Sequence, residues 1–250
     1  MGASAVPAPV ETEKLSAVQR IINVFFSPSK TFTDLNRNNG WWQAWLLISA
    51  FSLVFIFAMQ QKVGFEQITR NEIAASPKTV AQMDKLTPEA REQRIQMSVG
   101  ITKGFTYAFP LTILLTAAVI AAVLLGTFNF GLGAEMKFGT VLAVLFYAWV
   151  PGILKSLLAA ISLFAGADPE GFNVRNPAAT NIGFFIARAD HPVLHSMFSW
   201  FDIFNIWYII LLGIGISCVS KVKRGTATTV VAGWYVLIAV IGTCWVALMS

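Results

Sequence analysis

The sequence predicts an all-α, polytopic integral membrane protein: a bundle of five transmembrane helices with an amphipathic helix ahead of it. Three observations carry that prediction. Five nearly uncharged apolar stretches lie at 42–60, 105–125, 141–164, 201–219 and 228–249. Each has roughly the 20 residues that an α-helix needs to rise through the ~30 Å core of a bilayer. The composition agrees: the chain is 56% hydrophobic and 12% charged, with mean hydropathy +0.64, whereas a soluble domain carries about a quarter charged residues. A segment facing hydrocarbon must also pair its own backbone amides, which a helix does internally.

The elements follow in chain order. Residues 1–13 are small and proline-bearing, without the charged-then-apolar pattern of a cleavable signal, and read as a disordered tail. Residues 14–39 read as amphipathic interfacial helices. Leu15, Val18, Ile21, Ile22, Phe25 and Phe26 recur at helical spacing, while Gln19, Arg20 and Asn23 lie elsewhere. Such a helix either lies among lipid headgroups or caps its own bundle. Ser27-Pro28 stops it and starts a second short helix that carries Phe32 and Leu35.

Residues 40–250 form the five-helix domain. Trp41, Trp42 and Trp45 at its start predict an interfacial belt, with a ligand-stacking platform as the sharper alternative. Residues 62–103 are polar and carry both charge signs, which predicts a helical connector outside the membrane, and Thr87 opens a capping pattern within it. Pro110 predicts a kink near one end of the second span. The glycine-rich run 126–133 lacks the Lys-Ser ending of a phosphate loop and reads as a short turn.

The third span is anomalous. Pro151 and Gly152 interrupt its backbone ladder, and Lys155 follows one turn later. A lysine at a helix centre costs about 2.5–3.5 kcal/mol on the insertion scale, so Lys155 must face the bundle interior, snorkel or pair. The connection 166–199 is long and polar, a loop of the kind that is functional or partly re-entrant. His191 and His195 within it have zinc-compatible spacing. Pro192 interrupts them, however, and no third ligand is near in sequence, so no metal site is expected. Cys218 and Cys244 fall in spans and read as packing residues.

The fourth span opens with Asp202 and Asn205, three apart. Asp202 complements a helix N-terminus; the sharper reading pairs it with Lys155, against which stands the different depth of the two residues in their helices. Gly213, Gly215 and Ser217 supply small residues for close helix contact. The turn Lys221, Lys223, Arg224 is basic and therefore cytoplasmic by the positive-inside rule. Five spans then put the N-terminus in the cytoplasm and the C-terminus outside, although the basic residues of 62–103 run against the rule.

The spans hold no acid–base pair, nucleophile triad, metal cluster or phosphate loop, so the chain reads as a non-enzymatic protein without cofactor or metal. The net charge of +5 points to anionic lipid headgroups and not to nucleic acid, for which no aromatic-basic motif is present. The expected partners are the lipid bilayer and other membrane proteins, copies of itself included. The candidate functional residues are Pro151, Lys155, Asp202 and Asn205. The leading reading is a membrane scaffold or adaptor, and the rival is a small transporter or channel component that uses the intramembrane polar residues.

Several stretches resemble the bacterial branch of the Yip family (Ypt/Rab-interacting proteins). These are Arg20-Ile-Ile-Asn-Val-Phe-Phe-Ser-Pro, Gly40-Trp-Trp-Gln-Ala-Trp, Phe146-Tyr-Ala-Trp-Val-Pro-Gly, and Asp202-Ile-Phe-Asn-Ile-Trp-Tyr. The resemblance covers most of 20–248 and implies a five-helix domain in the inner membrane with a cytosolic N-terminus. Eukaryotic members act in vesicle trafficking with small GTPases. Their Asp-Leu-Tyr-Gly-Pro signature is absent here, where Asp34-Leu35 runs into Asn36-Arg37-Asn38.

Overall fold

The computed structural model describes residues 14–249; the tail expected at 1–13 lies outside the described residues. Among the described residues, every regular element is helical: α1 Ala17–Phe26, α2 Pro28–Asp34, α3 Trp41–Lys62, α4 Phe65–Ala74, α5 Pro77–Met83, α6 Pro88–Tyr107, α7 Phe109–Leu125, α8 Phe138–Trp149, α9 Gly152–Phe164, α10 Pro192–Ser199, α11 Ile203–Ser220 and α12 Arg224–Met249. Five segments are long and apolar enough to cross a membrane: Trp41–Lys62, Phe109–Phe130, Phe138–Phe164, Ile203–Ser220 and Arg224–Met249.

Local chemistry sets the helix starts. Ser16 and Gln19 form a reciprocal capping box on α1. Ser76 and Thr87 accept from the amides of Thr79 and Ala90 at the heads of α5 and α6. Prolines occupy the first turns of α2, α5, α6, α7 and α10, where a missing N–H is harmless. Pro110 therefore does not kink a continuous span. The chain breaks at Ala108, and α7 begins beyond it.

Two boundaries differ from expectation. The second span continues through a π-helical turn, Gly126–Phe130, and two further helical residues, so the turn predicted at 126–133 falls at 133–137. There Asn129 takes over the backbone of Met136, accepting from its N–H and donating to its carbonyl, both at 3.1 Å. The connection 166–199 is also more ordered than its composition suggests, holding a 3-10 turn at Ile182–Phe185 and then α10.

The core lies around the third span. Val141 to Ala148 are all buried, because α8 is surrounded by α3, α7, α11 and the N-terminal helices. The break behind it is orderly: Pro151 has no N–H for the Tyr147 carbonyl, and the amide of Val150 bonds that carbonyl instead at 3.2 Å. α12 packs on α11 and α10 and leaves most of its surface outward. The α11–α12 contact is close because Gly213 has no side chain. A Cβ there would stand 2.8 Å from Cα and 2.9 Å from Cβ of Thr228. Gly213→Ala is expected to force the two backbones apart and to destabilise by about 1–3 kcal/mol, measurable as earlier thermal unfolding in detergent.

The connector is built from α4, α5 and the start of α6, joined by short turns, with α4 packed on α6. Its charges pair: Arg70 reaches Glu66 at 2.7 Å and Glu92 at 3.2 Å, and Arg91 reaches Asp84 at 2.7 Å. Hydrogen bonds from Gln96, and then from Arg70, hold the Glu92 carboxyl below its ordinary pKa.

Candidate functional site

Three of the four residues singled out in the sequence, Lys155, Asp202 and Asn205, come together at the junction of the third and fourth spans. Lys155, on the first turn of α9, donates from Nζ to Asp202 Oδ2 at 2.8 Å. The depth objection fails because the helices do not end level. Lys155 stands nine residues, or about 13.5 Å, before the end of α9, and α11 begins beside it. The space above α11 is filled by residues 176–199 instead of by more of that helix.

Asp202 is not inside α11 but is its N-cap, accepting from Phe204 N at 2.9 Å through Oδ1. Its other oxygen accepts from Lys155, from Asn181 Nδ2 at 3.0 Å and from Thr180 Oγ1. The residue is 0% exposed, so four donors offset its desolvation. Asn205 lies in the first turn of α11 and donates toward the Trp200 carbonyl at 3.5 Å. Pro151 touches none of these groups; its contribution is the break that starts α9 and sets Lys155 where it is.

The loop supplies groups that the sequence alone did not single out. Asn176 and Asn181 form a reciprocal amide pair at 3.1 and 2.8 Å, and Asn176 also donates to Ser199 Oγ at 3.1 Å. Ser199 in turn donates to the His195 carbonyl. His195 Nδ1 lies 2.9 Å from the Ile186 carbonyl, which can only accept, so Nδ1 carries the proton. Nε2 is then the acceptor for Asn173 Nδ2 at 3.3 Å. Both ring nitrogens therefore serve the loop. Among the described residues no three His, Cys, Asp or Glu side chains gather as metal ligands. Glu72 of α4 ties the connector to the same loop through Arg188 at 2.9 Å and Arg175 at 3.2 Å.

Two cavities meet at this junction. The first, about 620 Å³, lies between the loop, the α4–α5 turn and the end of α12. The second, about 300 Å³, lies among α7, α8, α9, α11 and α12 and is walled by Trp149, Tyr208, Trp234 and Tyr235. Lys155 and Asn205 line both.

A second buried ion pair lies at the opposite end of the bundle. Arg20 of α1 donates from Nε to Asp34 Oδ2 at 2.7 Å, and its Nη2 lies 2.7 Å from the same oxygen as an ion pair without a hydrogen bond. The Thr31 hydroxyl donates to the Arg20 carbonyl at 2.9 Å, which closes α1 and α2 into a hairpin. Phe32 and Leu35 insert against α8 and α11; a Cβ on Gly215 would come within 3.0 Å of the Phe32 ring. The amphipathic helix docks through Arg20, 1% exposed, and Val24, with Ile21 and Phe25 packed beside them, while Val18, Ile22 and Phe26 stay 64%, 52% and 82% exposed. Two of the three expected belt tryptophans also turn inward. Trp41 stacks on Phe146 with centroids 6.1 Å apart, and Trp45 Nε1 donates to the Pro110 carbonyl at 2.9 Å.

Comparison with curated proteins gives no match, and comparison with solved structures gives none. A family model described as the Yip1 domain matches residues 22–246, a stretch that begins inside α1, takes in α2 and the first four spans, and ends within the fifth. The chain belongs to the Yip1 domain family of multi-pass membrane proteins.

Proposed function

We propose that this protein is a non-enzymatic membrane scaffold or adaptor, with the outer face of α1 as its contact for lipid and partner membrane proteins. The observation that carries the reading is the apolar stripe of Val18, Ile22 and Phe26. These residues stand at four-residue intervals on one side of a helix whose other side is fixed to the bundle by Arg20 and Val24. A helix held this way presents Phe26 to hydrocarbon or to another spanning helix and not to water. Cutting off the whole segment is not a clean test, because Val24, Phe32 and Leu35 belong to the core.

The test is local. A polarity-sensitive fluorophore on Ile22→Cys, with Cys218 and Cys244 replaced by alanine, is expected in proteoliposomes to emit as it does in hydrocarbon and to be quenched by nitroxide-bearing lipid. Water-like emission indifferent to the nitroxide would remove the reading. A photoreactive group at position 26 is expected to give protein as well as lipid adducts; lipid adducts alone would reduce the role to anchoring.

The same end of the molecule carries Lys221, Lys223 and Arg224, with Arg224 Nη2 3.1 Å from Ser29 Oγ. That basic turn supports a cytoplasmic placement of α1 and α2, in line with the inner-membrane setting that the resemblance implies. The transporter reading is the weaker one, because Asp202 is sealed by four donors and ties the third span, the fourth span and the loop into one fixed unit.

A further inference from the structure

We propose that the two cavities meeting at Lys155 form one binding site for a membrane lipid with an anionic phosphate headgroup. The head lies in the polar cavity and an acyl chain in the apolar one. The inference rests on the cavities alone and not on α1.

Charge selects the head. The charged residues lining the 620 Å³ cavity are Lys155, Arg175 and Arg188, and no carboxylate lines it. Glu72 and Asp202 hold these cations in place from behind the wall. Lys155 has three ammonium donors, of which one goes to Asp202. Ser76, Ser196 and Asn205 add neutral donors to the same lining. An anionic oxygen group fits this set, and a cation does not.

Shape and polarity select the tail. The adjoining 300 Å³ cleft falls within the size range of ligand pockets. Apart from Lys155 and Asn205, where it meets the first cavity, its walls are apolar or aromatic. Ile238 at its edge is about half exposed on the outer surface of α12, so a chain can enter sideways from the bilayer. A free phosphate compound would use the first cavity and leave the second unfilled.

Native mass spectrometry of the full chain in mild detergent tests this with phosphatidylglycerol and phosphatidylcholine of identical acyl chains. Wild type is expected to retain phosphatidylglycerol about tenfold better, a difference of about 1.4 kcal/mol. Arg175→Gln with Arg188→Gln, both outside the spans, is expected to erase the preference. Gly152→Phe is expected to lower retention of both lipids, because a Cβ at Gly152 meets nothing within 4 Å and the ring would project into the cleft that this residue lines. Glycerol phosphate is expected not to compete. Equal retention of the two lipids by wild type would overturn the proposal, as would wild-type behaviour of a folded Gly152→Phe chain. Displacement by glycerol phosphate would overturn it in favour of a soluble phosphate ligand.

Discussion

Asp202→Ala is expected to cost about 3–5 kcal/mol of stability, the usual penalty for removing one partner of a buried ion pair. The loss has three parts. Lys155, three-quarters buried, is left charged without its counterion. Thr180 and Asn181 lose their shared acceptor, and each orphaned donor carries a desolvation penalty. α11 loses its N-cap, a deficit of about 1 kcal/mol when measured alone. Lys155→Met is expected to be milder, because Asp202 keeps three donors and the long side chain can be replaced by one of similar length. Unfolding in detergent, followed by tryptophan fluorescence, should rank wild type above Lys155→Met and Lys155→Met above Asp202→Ala. If Asp202→Ala unfolds with wild type, the pair is not a structural tie and the loop is held by its asparagines alone.

Arg20→Ala is expected to have an effect of similar size, about 3–5 kcal/mol, but a local one. Asp34 is left buried without its cation, and Phe32 and Leu35 lose the partner helix that positions them. Arg20→Lys should recover only part of the loss, because an ammonium on a different stem cannot keep the Nε donation to Asp34 Oδ2 in the same place. Arg20→Met with Asp34→Leu should return near to wild type, since a buried pair replaced by apolar side chains is often neutral. The readout is Cys218, whose carbonyl accepts from Asn36 and whose sulfur lies against Ser29. In a Cys244→Ala background, release of the hairpin should speed maleimide labelling of Cys218 in Arg20→Ala and not in the double variant.

The sequence made the spans legible because a run of uncharged apolar residues is a sufficient statement of solvent. It also marked Lys155, since a lysine amid such a run demands a partner. It did not yield that partner cleanly. Helix lengths in the sequence do not reveal that α11 starts well below the end of α9, or that a polar loop fills the gap. Asn176 and Asn181 gave no signal, because a loop asparagine reads as a turn residue until a buried carboxylate is known to face it. The amphipathic period of α1 was plain, but its orientation depended on Asp34, fourteen residues on. Trp41 and Trp45 looked like a belt by composition alone, and only tertiary packing turned them inward.

The seat of the N-terminal hairpin has a consequence for how the chain is made. Asn36 closes on Cys218, 182 positions later, and Phe32 fits beside Gly215. At a ribosomal pace of ~5–20 residues per second, the α1–α2 hairpin waits about 10–40 s for its docking place to emerge. During that wait Val24, Phe32 and Leu35 have no protein to rest on, and the bilayer surface is the nearest apolar shelter. The α1–α2 hairpin is thus made well before its seat, and its assembly runs from membrane surface to bundle.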